Sequence, residues 1–536
     1  MTSSIQSSSI PTNNVGLAVM TTLRNYGIDA IFGIPGTHNL EFYRHLEPLG
    51  IRPVTTRHEQ GAGYGSDGWS QIKGLPGVVI TTSGPGLLNA MSAAATSYCE
   101  SRPMIILSPG APRGSEFSDI GLLHETKDPT GAVRALIGRS TRVSSGSEAV
   151  ELIHEAFAFF AHGRPRPVHI EVPLDVLEAA SDVEPSALEA RPLGAPKGAA
   201  DDAVATAADI LRRASNPVIL AGGGSLGTGG TLLELAELLR APVVTTINGK
   251  GAIPETHPLS IGSEIRLAAA QDLCNSSDAL LVIGSKVGES ELWGGKIVPQ
   301  GNCIRIDIDH SQLECNLSPD VELLGNAAAV VPQLLVALAG HVPAVTPDLA
   351  PLRLELREEA RSMAPVLAQI NEILAGVLPA DTVIAGDSSQ ITYFGTTSFF
   401  PMQQPHQLLY TPAYATLGYG LPAAIGAKVA DPDRPVVGLI GDGALMFAVQ
   451  EFITAVEQGV DLPIICINNG GYGEIRQNME DRDLVPVGVN LTQPDWVRLA
   501  EGFGLTAFNV ESLDKLAGVV TEALAVKGPS LIHVSI

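Results

Sequence analysis

The sequence predicts an α/β protein made of three doubly wound parallel-sheet domains, and three observations carry that prediction. Short β-branched runs alternate with longer helical patterns along the whole chain. Those runs are apolar almost throughout rather than at every second residue, the pattern of strands covered by helices on both faces. The length of 536 residues exceeds one ordinary core, and 56 glycines with 45% apolar but only 5% aromatic residues suit many tight strand-to-helix turns.

Taken in order, PGVVITT, PMIILSP and PVHIEV are the early strands. NPVILAG, APVVTTI, ALLVIGS and CIRIDID follow in the middle, and DTVIAGD, PVVGLIGDG, LPIICINN and PSLIHVSI come late. The rhythm breaks at residues 178–202 and 339–352, where Pro, Ala and acidic residues gather without an apolar period, so both read as linkers. Domains of 12–180, 195–340 and 353–536 result. The first dozen residues, full of Ser, Thr and Asn, are expected to be disordered.

Charge and cysteine usage narrow the class. A formal net charge of −24 without any Lys/Arg run argues against nucleic acid as a partner. Cys99, Cys274, Cys303, Cys315 and Cys466 are scattered without a CxxC pair, as reduced, mostly buried thiols would be. The N-terminus has neither a basic region nor an apolar core, and no window reaches 18 uninterrupted apolar residues. A soluble, cytoplasmic protein with no membrane partner is expected.

The most informative stretch lies near the end of the chain. The strand PVVGLI runs into Gly441-Asp442-Gly443, a helical stretch follows, and the strand LPIICI ends in Asn468-Asn469. Between Gly443 and Asn468 lie 24 residues, one strand–helix–strand unit, so both strand ends emerge at the carboxyl edge of one parallel sheet. Asp and Asn offer hard oxygens there, suited to a magnesium ion that also takes phosphate oxygens. Gly443 lets the backbone approach a diphosphate, and the helix start behind it favours the negative charge.

These pieces, in this order and spacing, resemble the diphosphate–metal motif of the thiamin diphosphate enzymes. The resemblance extends through IFGIPG, TTRHEQGAGYGSDGWSQ, TTSGPGLLNAMSAAATSY, HPLSIG and LGYGLPAAIGA, in the arrangement of the acetolactate synthase-like branch. It implies a pyrimidine-binding, a middle and a diphosphate-binding domain. It implies Mg²⁺ on the side chains of Asp442 and Asn469 and the carbonyl of Gly471. It also implies that Gly441, Asp442, Gly443, Ala444, Asn469, Gly471, Tyr472 and Gly473 surround the diphosphate, and that Ser388 stands beside the cofactor.

By the same resemblance Glu59, in RHEQGAG at the end of a strand, hydrogen-bonds the aminopyrimidine ring and drives formation of a C2 ylide. Leu417, where the pattern often has Met, props the folded cofactor, and the main chain of Ala415 and Leu417 holds its pyrimidine. The implied reaction is non-oxidative decarboxylation of a 2-oxo acid through an enamine. Capture of that enamine by a second carbonyl, as in carboligases and lyases of the acetolactate synthase or benzaldehyde lyase type, is the alternative.

The remaining candidates concern the substrate. Leu123-His124-Glu125 stands where acetolactate synthases carry an FQE-like stretch, and His124 is a candidate proton donor. FGIPGTHNLEFYRHL, LHETKD, GDSSQ, NNGGYGEIRQ and PVGV are similar to the 5-guanidino-2-oxopentanoate decarboxylases. A guanidinium tail wants a carboxylate, for which Glu474, Glu480, Asp481 and Asp483 are candidates, and His38 and Leu123 are further pocket candidates. Gly222-Gly223-Gly224 resembles a dinucleotide loop, but APVVTTINGKG lacks the acidic ribose ligand of an NAD enzyme. Acetolactate synthases bind FAD in this domain through an RFDDR stretch; here Ser285-Lys286-Val287-Gly288-Glu289-Ser290 replaces it, so FAD is not expected. The resemblance implies a homo-oligomer, a tetramer of active-site-sharing dimers, with Glu59 from one subunit and Asp442 and Asn469 from another.

Overall fold

The computed structural model describes residues 10–343 and 347–536. The disorder expected of the first dozen residues falls mainly on residues 1–9, outside that range, as do residues 344–346 of the second linker.

Three six-stranded sheets follow one another along the chain, and every strand pair in them is parallel. The first comprises β1 (Ala30–Gly33), β2 (Arg52–Thr55), β3 (Gly77–Ile80), β4 (Met104–Gly110), β5 (Ser140–Arg142) and β6 (Val168–Pro173), in the order β2-β1-β3-β4-β6-β5. The second comprises β7 (Pro217–Ala221), β8 (Val243–Thr245), β9 (Ser260–Gly262), β10 (Ala279–Ile283), β11 (Asn302–Asp307) and β12 (Val321–Leu324), in the order β12-β11-β10-β7-β8-β9. The third comprises β13 (Val383–Gly386), β14 (Leu408–Leu409), β15 (Val436–Gly441), β16 (Pro463–Asn468), β17 (Thr506–Val510) and β18 (Ser530–Ser535), in the order β14-β13-β15-β16-β18-β17. Fully buried central strands such as β3, β10 and β16 explain the unbroken apolar runs of the sequence.

Each order reverses direction near the middle of its sheet, and that reversal leaves a crevice beyond the carboxyl ends of two neighbouring strands. In the third sheet that crevice lies between β13 and β15, in the first between β1 and β3, and in the second between β7 and β10. The first and third units share one continuous apolar core. Their closest approach is between the helices Glu59–Lys73 and Gly420–Ala430, where backbones nearly touch. A side chain at Gly68 would strike the carbonyl of Ala423, and one at Gly426 would strike that of Gly65. These glycines therefore fix how Glu59's helix sits on the third unit.

The five cysteines are free, with Cys274, Cys303 and Cys466 buried and Cys99 and Cys315 half-buried. Among the described residues no helix is long and apolar enough to cross a membrane.

Candidate active site

At the crevice of the third sheet, three oxygens converge without a hydrogen between them. Asn469 Oδ1 lies 3.1 Å from the carbonyl oxygen of Gly471 and 3.3 Å from Asp442 Oδ1. The Asn469 amide is turned this way because its Nδ2 donates to Gln390 Oε1 at 3.3 Å. The second carboxylate oxygen of Asp442 is buried and has no hydrogen-bond partner, and burial raises the pKa of this acid. Asp442 Oδ1 accepts from the Asn469 main-chain nitrogen at 3.3 Å, but the three oxygens still face one another, and a hard divalent cation among them would remove that repulsion. In an octahedron with bonds of 2.0–2.1 Å, adjacent ligand oxygens stand ~2.9 Å apart, near the spacings found. Local geometry supports the cluster: Gly471 has φ +134°, and a side chain there would strike the carbonyl of Val489. A side chain at Gly443 would close the space in front of Gly471 and Tyr472.

These groups line a cavity of about 480 Å³ that also receives Ser388, Ala415, Leu417, Gly441, Ala444 and Gly473. Ser388 Oγ is buried there without a hydrogen-bond partner. Ala415 adopts φ +53°, a left-handed turn that brings half-buried Leu417 to the cavity wall. That turn is braced by Asp387, which the sequence reading passed over. Its carboxylate accepts hydrogen bonds from the main-chain nitrogens of Ser388 (2.9 Å), Gly418 (3.1 Å) and Gly420 (2.8 Å), and complete burial pushes its pKa up to about 7.

Glu474 reaches the same cavity, whereas Glu480, Asp481 and Asp483 are exposed and do not line it. Glu474 Oε2 accepts from Gln390 Nε2 at 3.0 Å and from the Tyr393 hydroxyl at 3.3 Å. Burial and the Glu474 carboxylate both raise the Tyr393 pKa, so its hydroxyl stays protonated and donates. Gln390 and Tyr393 were not singled out from the sequence, although Gln390 closes the quoted stretch GDSSQ and Tyr393 follows it in a π-helical turn, Ile391–Thr396.

Glu59 lies elsewhere in the chain's own fold. It opens the helix Glu59–Lys73 rather than ending a strand, because β2 stops at Thr55 and His58 Nδ1 caps the helix by accepting from Gln60 N at 3.1 Å. Its side chain is nearly buried, and Oε2 accepts from Asn89 Nδ2 at 3.0 Å. Glycine at position 86 leaves Oε1 room.

The crevice of the first sheet opens into a second cavity of about 610 Å³, lined by His38, Ser83, Leu123 and His124. No pair of adjacent histidines occurs in the sequence, yet two come together in space: His38 Nδ1 is 2.6 Å from Ser83 Oγ, and His124 Nδ1 is 3.5 Å from the same oxygen. Leu123 is mostly exposed at its rim, and His124 is held at φ +61°. This cavity and the first have no lining residue in common. In the middle unit, Gly222 follows β7 at the crevice, where Lys286 Nζ donates to the carbonyl of Cys99 at 3.0 Å.

Comparison with known proteins decides the family. Residues 13–129, 204–334 and 389–534 match the N-terminal TPP binding domain, the central domain and the C-terminal TPP binding domain of the thiamine pyrophosphate enzymes. The chain belongs to the thiamine pyrophosphate enzyme family. A probable 2-ketoarginine decarboxylase of Pseudomonas aeruginosa is 36% identical over 528 residues, covering 97% of this chain and 94% of the relative. A probable acetolactate synthase large subunit of Methanocaldococcus jannaschii is 31% identical, covering 97% and 91%. The acetolactate synthase isozyme 1 large subunit of Escherichia coli is 30% identical, covering 96% and 92%. The chain is thus a thiamin diphosphate-dependent enzyme, a decarboxylase or a carboligase.

Proposed function

We propose that this thiamine pyrophosphate enzyme carries out Mg²⁺-dependent, non-oxidative decarboxylation of a 2-oxo acid, with 5-guanidino-2-oxopentanoate the first candidate. The observation that carries the metal part is the convergence of Asp442 Oδ1, Asn469 Oδ1 and the Gly471 carbonyl at one crevice. These three would hold Mg²⁺ together with the cofactor's phosphates, while Gly443 leaves the backbone open to them. Bound thiamin diphosphate supplies the electron sink that loss of CO₂ from a 2-oxo acid requires.

The protein's own groups then hold and move protons. Glu59, oriented by Asn89, is assigned to hold a proton against the cofactor's pyrimidine nitrogen. Leu417 and the main chain of Ala415 shape the wall beneath it. His124 and His38, joined through Ser83, are assigned to deliver a proton to the carbon that CO₂ has left, which favours release of an aldehyde. The similarity to a probable 2-ketoarginine decarboxylase supports this branch and its substrate. The similarity to acetolactate synthases supports the alternative, capture by a second carbonyl.

The separation of the two cavities supports a site shared between subunits, with Glu59, His38 and His124 from one and Asp442 and Asn469 from its partner. Exposed apolar residues rim both cavities: Phe117, Ile120 and Leu123 beside the first-sheet cavity, and Met446, Phe447 and Ile475 by the third. Exposed apolar patches of this kind are what a two-fold interface buries.

The test is ¹H NMR of the enzyme with thiamin diphosphate and Mg²⁺, offered pyruvate, phenylpyruvate, benzoylformate and 5-guanidino-2-oxopentanoate with and without an acceptor aldehyde. An aldehyde product that disappears in Glu59→Gln is the expected result. A 2-hydroxyketone or acetohydroxy acid would assign the enzyme to the carboligases, and no turnover of any acid would refute the proposed reaction.

A further inference from the structure

The cavity of the third unit holds a charge that the assigned chemistry leaves unused. No Lys, Arg or His side chain lines it, and its two acidic side chains are Asp442 and Glu474. Asp442 is committed to the cation cluster. Whereas Asp67, Glu171 and Glu255 pair with Arg102, Arg142 and Lys250, Glu474 is half-exposed and forms no ion pair among the described residues. Its carboxylate is nonetheless fixed: Gln390 and Tyr393 both donate to Oε2, while Oε1 takes only a 3.4 Å contact from Asn478 Nδ2. Tyr393, which holds Oε2, also presents its ring to the cavity, with Trp293 packed edge-on at 6.1 Å between ring centres.

A half-buried, oriented, unpaired carboxylate beside aromatic rings is a receptor for a flat or compact organic cation. We propose that Glu474, clamped by Gln390 and Tyr393, is the residue that reads a cationic tail on the 2-oxo acid. The inference rests on the decarboxylase reading and adds to it the group that selects the substrate. It places the specificity on the diphosphate-binding unit, beside Asn469 and apart from the histidines of the first sheet. A neutral tail would leave the negative charge desolvated, with Oε1 short of a strong donor, so the same residue that attracts guanidinium also rejects its uncharged analogues.

The experiment is steady-state decarboxylation by holoenzyme of 5-guanidino-2-oxopentanoate and of 2-oxo-5-ureidopentanoate, which has the same shape without the charge. Wild type and Glu474→Gln are compared, with the Mg²⁺ concentration for half-activation measured in both. Loss of a charge-assisted hydrogen bond predicts a fall of roughly 10- to 100-fold in kcat/KM for the guanidino acid, carried mainly by KM. The ureido acid should change by less than about threefold or improve, with the Mg²⁺ requirement unaltered. Equal losses on both acids, or a shifted Mg²⁺ requirement with an unchanged substrate ratio, would overturn the assignment and place Glu474 in proton transfer or in orienting Asn469 through Gln390. A second measurement is independent of turnover: calorimetric binding of 5-guanidinopentanoate, which lacks the reacting carbonyl. Binding to wild type that is lost in Glu474→Gln supports the tail anchor even if decarboxylation fails. Equal binding to both proteins, or none to wild type, refutes it while leaving decarboxylation of other 2-oxo acids standing.

Discussion

The first and third sheets are built to one plan and hold different chemistry. Their strands follow the same order, β2-β1-β3-β4-β6-β5 against β14-β13-β15-β16-β18-β17, so their crevices open at equivalent strand ends. At the third, the strand ends lead into Ser388, Asp442 and Asn469, a set of bare oxygens around glycine turns. At the first, they lead to His38 and Ser83, groups that trade protons, with Glu59 on a neighbouring helix. Topology settles where a ligand can lie, and the few side chains after the strand ends settle what it can be.

The largest break in this comparison should come from Glu59→Gln, which keeps shape but cannot hold a proton. A loss of about 10²- to 10⁴-fold in kcat is expected, measured by CO₂ release, with cofactor binding retained. The next experiment tests whether the two chemistries meet across subunits. Glu59→Gln and Asp442→Asn, each nearly inactive, are mixed under conditions that exchange subunits. A hybrid dimer carries one site with both wild-type halves, so activity should recover to about a quarter of wild type. Absence of recovery despite proven exchange would place both halves in one chain. Asp442→Asn alone should then raise the Mg²⁺ concentration for half-activation at least ~10-fold, while Glu59→Gln leaves it unchanged.

The smallest effect concerns the equivalent strands β6 and β18, each carrying a histidine. His169 is fully buried between Ser108 and Ser140, and desolvation takes its pKa down to about 3; His533 is half-buried beside Asn509. Because His169 binds its proton more weakly folded than unfolded, stability is full above the unfolded value of 6.5 and falls as pH drops towards 3. At pH 5 that amounts to about 2 kcal/mol. Thermal unfolding of His169→Gln should show a flatter dependence between pH 6.5 and 5 than the parent, while His533→Gln, which removes a histidine whose pKa burial lowers less, should flatten it to a smaller extent.

What could be read from the sequence followed from how local each feature is. The side-chain oxygens of the third sheet sit at two strand ends one helix apart, so Asp442 and Asn469 could be placed together from spacing, while the Gly471 carbonyl followed only from the resemblance to the thiamin diphosphate enzymes. The three-sheet architecture was legible for the same reason, since unbroken apolar strands mark buried parallel sheets wherever they fall. His38, Ser83 and His124 come from three separate loops, and nothing in their spacing shows that they meet. Asp387 looked like one more polar residue after a strand; only its three main-chain donors reveal that it braces the turn under Leu417. Glu59 was placed at a strand end because a histidine cap is a rare helix start, and the cap moves it onto a helix. Among the four acids after Asn469, Glu474 was the one carried forward as a pocket residue, and a short helix turns it towards the cavity and leaves the rest in solvent.

Gln390 has a consequence beyond its two contacts. Its oxygen faces the Asn469 amide and its nitrogen faces Glu474, so a single orientation of one amide serves both neighbours. A half-turn of that amide would present like to like on both sides at once. One amide therefore fixes the orientation of Asn469 and of the Glu474 carboxylate together, so that neither can be reset while the other keeps its partner.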